Sequence, residues 1–161
     1  MLQQGSKLPS LTFKTVSNGS ITIPDDITSR YAAVLFYRGH WWPPCNRQLA
    51  EWESAKQSLS ELDVEIYAIS VDDLEDAKKV VNSNNLTYTV AYGATEEHRS
   101  AIGAWSASDH HGEYIQPAEF LLGRGGVVLG SMYASGPVGR MRVEEAINLI
   151  NNREKRRLNQ A

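Results

Sequence analysis

Apolar and polar positions along the chain predict strands and helices in alternation. Residues 11–16 and 20–23 are short apolar and β-branched runs on either side of Ser17-Asn18-Gly19, and Asn-Gly is a strong hairpin turn signal, so the chain opens on a β-hairpin. Residues 31–37 (YAAVLFY) are almost continuously apolar and contain no Gly or Pro, which predicts a strand covered on both faces. Beyond Pro43-Pro44-Cys45, Leu49, Trp52, Ala55, Leu59 and Leu62 recur at three- and four-residue steps and predict one long helix. Residues 64–71 (VEIYAISV) form a second buried strand by the same reasoning. A helix carrying Leu74, Ala77, Val80 and Val81 follows, with Asp72 or Asp73 as its cap.

Residues 86–91 read as a further strand and 96–105 as a short helix. Residues 120–122 and 127–129 read as strands paired around Gly123-Arg124-Gly125-Gly126, and Val143, Ala146, Ile147 and Ile150 mark a closing helix. The order predicts an α/β fold in which a central mixed sheet is flanked by helices, in one domain spanning residues 1–161. The longest stretch without a pattern is 106–116 (SASDHHGEYIQ), expected to be a loop bordering a substrate site.

Composition narrows the function classes. A hydrophobic share of 42% and a charged share of 22% describe a folded globular protein. A formal charge of -3, from 16 basic and 19 acidic side chains, gives no general attraction to nucleic acid or anionic membranes. The first residues lack the order of a secretory signal and no apolar run is long enough to span a bilayer, so the expected location is cytoplasmic. One cysteine excludes an internal disulfide and any two-cysteine mechanism within one chain.

That cysteine, Cys45, falls where a buried strand ends and a helix begins. Unpaired N–H groups and the positive end of the helix dipole favour a thiolate there. Pro43 and Pro44 suit a helix start because neither needs to donate an N–H. Arg38, His40 and Arg47 are the nearby cations; an imidazolium at His40 would also supply a proton to a leaving oxygen. Trp41 and Trp42, with Tyr37 and Trp52, would wall an apolar pocket, although core packing or a homodimer contact accounts for them equally well. Adjacent residues of one loop rarely converge on a metal, so Asp109, His110, His111 and Glu113 are read as a solvated loop, and no metal or other cofactor is expected. Ser108-Asp109-His110 is not a hydrolase triad, since triads converge in space. The basic run 153–157 is a solvated helix end.

Several motifs in order resemble the alkyl hydroperoxide reductase and thiol-specific antioxidant (AhpC/TSA) family, in its peroxiredoxin-like branch. That family's "LPxLTL", "FYRGxWCPxC", "AISxD" and "IQPAxFLL" are similar to residues 8–11, 36–45, 68–72 and 116–126. The resemblance implies a thioredoxin-like fold, and a proline at 117 in the place of the cis-proline that such folds set beside the active-site cysteine. It also implies an antioxidant oxidoreductase with Cys45, His40 and Arg38 as catalytic candidates and Trp41, Trp42, Pro44 and Pro117 as the substrate pocket.

The chain departs from the pattern at several points. Trp42 replaces the first cysteine of C-x-x-C, so dithiol exchange is lost. True peroxiredoxins have Thr or Ser three residues before the peroxide-attacking cysteine and proline seven before it, where this chain has Trp42 and Arg38; an arginine expected at 117 is also missing. Losing a donor that stabilises developing charge costs roughly 10²- to 10³-fold in rate, for which Arg38, His40 or Arg124 must substitute. The resulting expectation is one-cysteine reduction of hydrogen peroxide or organic hydroperoxides, with an external thiol such as thioredoxin or glutathione as reductant. The alternatives are a binding module without turnover and monothiol exchange with glutathione.

Overall fold

The computed structural model describes residues 1–160. The chain begins with the expected hairpin, β1 (Leu11–Thr15) and β2 (Ser20–Ile23), with Asn18 and Gly19 both at positive φ in the turn. It continues through β3 (Tyr31–Phe36), α1 (Pro43–Ser54), α2 (Lys56–Glu61), β4 (Val64–Ile69), α3 (Leu74–Asn84), β5 (Thr89–Tyr92) and α4 (Glu96–Ile102). There follow β6 (Ser106–Asp109), β7 (Gly112–Ile115), β8 (Ala118–Leu122), β9 (Val128–Tyr133) and α5 (Val143–Asn159). Seven strands form one mixed sheet in the order β2-β1-β5-β4-β3-β8-β9, with β3, β4 and β5 parallel and the other pairings antiparallel. This is the α/β architecture expected from the alternation of elements.

The run of apolar residues in β3 is explained by a core on each side of the sheet. Ala33 and Leu35 pack with Cys45, Leu49 and Trp52 of α1, Leu59 of α2, Val80 of α3 and Ala146 and Ile150 of α5. Ala32, Val34 and Phe36 face Leu8, Phe13, Phe120 and Ile102 of α4. Each large side chain buried in this way stabilises the fold by about 1.5–3 kcal/mol, an upper bound for a chain already partly collapsed when unfolded. Among the described residues no helix is long and apolar enough to cross a membrane.

Three expectations are corrected. The long helix after Cys45 breaks at Ala55, whose φ of −95° and ψ of 1° leave the helical range, although apolar spacing continues across the break. Residues 106–116 are mostly a hairpin: Ser106 pairs with Ile115 and Asp109 with Gly112, but most of its positions are exposed and so show no apolar alternation. The bond before Pro117 is not cis; the cis bond among the described residues precedes Pro24. Pro117 instead leads into β8, its carbonyl accepting from Ala134 N–H at 2.9 Å, a place where a missing N–H and a fixed φ are tolerated. Two boundaries also move: α4 stops at Ile102 because Gly103 takes a left-handed cap, and β5 begins at Thr89.

Candidate active site around Cys45

β3 aims the chain at the site and α1 carries the thiol. Trp42 is the N-terminal cap of α1, Pro43 and Pro44 fill its first turn, and Cys45 N–H donates to Trp42 C=O at 3.1 Å. Asn46 fastens this corner, its Nδ2 donating to His40 C=O at 2.9 Å. The Cys45 side chain is completely buried. Its Sγ accepts from two donors: the backbone N–H of Arg38 at 3.4 Å and Nη2 of Arg140 at 3.3 Å. The first is a neutral backbone donor and the second a charged guanidinium.

Arg38 therefore meets the thiol through its backbone, while its guanidinium turns elsewhere. It donates to the Tyr114 hydroxyl and lies over the rings of Trp42 and Tyr114, 4.7 and 4.8 Å from their centroids. His40 turns away altogether. Its backbone N–H and Nδ1 contact Asp72 at 2.9 and 3.1 Å, and its Nε2 lies 3.7 Å from Asp76. Burial raises the Asp72 carboxyl above its ordinary value, and the bond from His40 partly offsets this. His40, Asp72 and Asp76 have ligand atoms within 4.8 Å of one another, as do exposed Asp109, His110 and His111, and these are the places where a cation would find donors.

Trp41 is held against the β6–β7 hairpin, stacked on His111 at 4.4 Å between centroids and edge-on to Tyr114 at 5.2 Å. A Cβ on Gly39 would lie 1.8 Å from the Trp41 ring, so only glycine lets the indole fold back here. The β6–β7 hairpin is thus joined to the cysteine corner through Tyr114, Arg38 and Trp41. Trp42 packs against the cluster containing Cys45, Pro44 is half-buried on α1, and Pro117 stands at the same end of the sheet, just before the Ala118 to Phe36 pairing. Arg47 is exposed, and Arg124 lies in the turn at the opposite end of β8.

Two groups at the site escaped the sequence reading. Arg140 lies 95 residues from the cysteine it touches, and no local pattern points to it. Glu119 occupies the second position of β8, where all five residues are buried, and a lone carboxylate in such a strand was the available signal. It accepts from Met141 N–H at 2.5 Å and from the side-chain amide of Gln48, and burial pushes its carboxyl up to about 7. On residues of the cysteine corner, Arg38 Nε, Trp42 Nε1 and Arg140 Nε are buried N–H donors without a partner among the described residues. Buried donors ordinarily have acceptors, so this corner is suited to a small ligand rich in oxygen lone pairs. A cavity of about 610 Å³ lies beyond the hairpin with Tyr114 in its wall, and it does not reach Cys45.

Comparison with known proteins agrees with this geometry. The AhpC/TSA family profile matches residues 4–130. Peroxiredoxin Bcp of Bacillus subtilis (strain 168) is 25% identical over 128 residues, covering 78% of this chain and 81% of that protein. Peroxidoxin BcpB of Mycobacterium tuberculosis superposes with a TM-score of 0.80 at 11% identity, over 94% of this chain and 98% of its own. AhpC of Enterococcus faecalis superposes with a TM-score of 0.79 at 17% identity, over 96% and 93%. At these identities the solved structures establish the thioredoxin-like fold that peroxiredoxins share.

Proposed function

Because the chain belongs to the AhpC/TSA family, we propose that it is a one-cysteine, thiol-dependent peroxidase acting through Cys45. The observation that carries this reading is the Cys45 Sγ held between the Arg38 N–H and the Arg140 guanidinium at the start of a helix. In the first step the Cys45 thiolate attacks the terminal oxygen of a hydroperoxide and the O–O bond breaks. The departing alkoxide takes up a proton and leaves as alcohol, or as water from hydrogen peroxide. Sulfur, oxidised by two electrons, becomes sulfenic acid. The Arg140 guanidinium and the Arg38 backbone N–H are the groups available to stabilise the departing oxygen. With no second cysteine in the chain, an external thiol condenses with the sulfenic acid, releasing water, and a second thiol frees Cys45 from the mixed disulfide.

The side chains of Trp41, Trp42, Pro44 and Pro117 are the candidate walls for the organic part of a hydroperoxide. The test is one equivalent of hydrogen peroxide or cumene hydroperoxide at neutral pH, followed by a sulfenic-acid trap and intact mass. Wild type should gain one trap adduct and Cys45→Ser none. Reaction at Cys45 no faster than that of free cysteine overturns the proposal. One observation favours a second reading, a binding module without turnover: the thiol is completely buried. That reading predicts that peroxide leaves Cys45 untouched.

A further inference from the structure

We propose that Glu119 is a positioning residue for Cys45: its carboxyl fixes the segment that carries Arg140 to the cysteine helix, and its ionisation decides how much of the Arg140 charge the thiolate receives. The inference rests on the thiol chemistry proposed above and names a group that controls it.

Glu119 pairs with Leu35 of β3 and Met132 of β9, in a strand whose other residues are Ala, Phe and Leu. A carboxyl buried there is costly unless hydrogen bonds compensate. Its two bonds lead to opposite sides of the site. One comes from Gln48, three residues beyond Cys45 on α1, and the other from the backbone of Met141, next to Arg140. Glu119 thus ties together the two pieces of chain whose side chains meet at Sγ. Arg140 donates Nη2 to Sγ and Nη1 to Gly139 C=O, and its buried Nε has no partner among the described residues.

Arg140 is the cation that acts on Glu119, whereas α1 presents uncharged Gln48, β3 presents Leu35 and β9 presents Met132. Cys45, one turn before Gln48, is the other acidic group served by the same guanidinium. Two anions drawing on one cation in a dry environment oppose each other's ionisation. A neutral Glu119 leaves Arg140 to the thiolate, and an ionised Glu119 competes for it. Burial keeps the carboxyl near about 7, so this exchange takes place in the neutral range.

Glu119→Gln removes the charge and keeps an acceptor for Met141, while Glu119→Leu also removes both hydrogen bonds. Thiolate formation is followed by ultraviolet absorbance against pH, with Cys45→Ser as the blank, which needs no access to the buried sulfur. The proposal expects Glu119→Gln to raise the thiolate fraction in the neutral range by roughly three- to tenfold, about half to one pH unit in midpoint. In an Arg140→Met background the same substitution should have no effect. Glu119→Leu should speed Cys45 alkylation at saturating pH, because Arg140 no longer holds the fully formed thiolate covered. A Glu119→Gln titration that superposes on wild type overturns the proposal, as does an effect that persists undiminished in Arg140→Met. Each of these readouts stands even if peroxide fails to oxidise Cys45, so the peroxidase reading and this one fail separately.

Discussion

Arg140 and Arg38 both reach the thiol, but by different atoms, and this predicts different consequences of removing their side chains. Arg140→Met takes away the guanidinium at 3.3 Å from Sγ and should slow oxidation of Cys45 by peroxide about 10²- to 10³-fold. Arg38→Met leaves the backbone N–H at 3.4 Å in place and should cost about tenfold or less, through looser packing of Trp42 and Tyr114. Single-turnover peroxide oxidation, read by intact mass, compares the two; equal losses would refute the distinction. The sequence singled out Cys45 and Arg38 because chain proximity and the strand-to-helix corner are local signals. It also singled out His40, which is equally close in sequence, but attraction to Asp72 and Asp76 takes both ring nitrogens away from sulfur. Arg140 was illegible for a different reason, and Glu119 was legible only as a lone carboxylate in an apolar strand: only the crossing of β8 and the return to α5 bring them to α1, and spacing along a chain does not encode that approach.

At the scale of elements, the β6–β7 hairpin is a part of the fold outside the main sheet with a direct link to the cysteine corner. Trp41 on Gly39 and stacked on His111 provides the apolar half of that link, and Arg38 on Tyr114 the polar half. Gly39→Ala puts a methyl group where the indole lies and should destabilise the protein by about 1–3 kcal/mol, the usual cost of overpacking. Displacing Trp41 should also speed hydrogen exchange in residues 106–115 and alkylation of Cys45, since the hairpin loses its stacking partner. Unchanged exchange in that segment would show that the hairpin holds its place without Trp41. Strands and helices facing the core were legible because burial imposes a period on them, as in β1, whose residues alternate between buried and exposed. The hairpin is mostly outside the core and has no such period; its pairing rests on backbone bonds and the positive φ of Gly112. The break at Ala55 was hidden for the opposite reason: both helices bury the same face, so the apolar spacing runs on through the kink.

For the whole molecule, the parallel centre β3, β4 and β5 is covered on both faces, and this leaves little place for charge inside; Glu119 is the most deeply buried carboxyl among the described residues. In the unfolded chain its carboxyl titrates at the ordinary value of 4.5, and in the folded protein at about 7. Between those values the folded state keeps a proton that the unfolded state has released, so stability falls as pH rises through this window and levels off above about 7. The full contribution is present below the lower value, and the loss amounts to about 3 kcal/mol if no other group responds. Asp72, raised by burial, acts in the same direction. Asp109 and Glu154, held below their ordinary values by their hydrogen bonds, act oppositely and in more acid solution, where stability falls as pH falls. Glu119→Gln should therefore gain stability relative to wild type as pH rises, with a larger advantage at about pH 8 than at about pH 5, measured by urea unfolding of both proteins at each pH. An equal difference at the two pH values would mean that the carboxyl ionises alike in the folded and unfolded chains, and that Arg140 and Met141 meet its charge as well as water does.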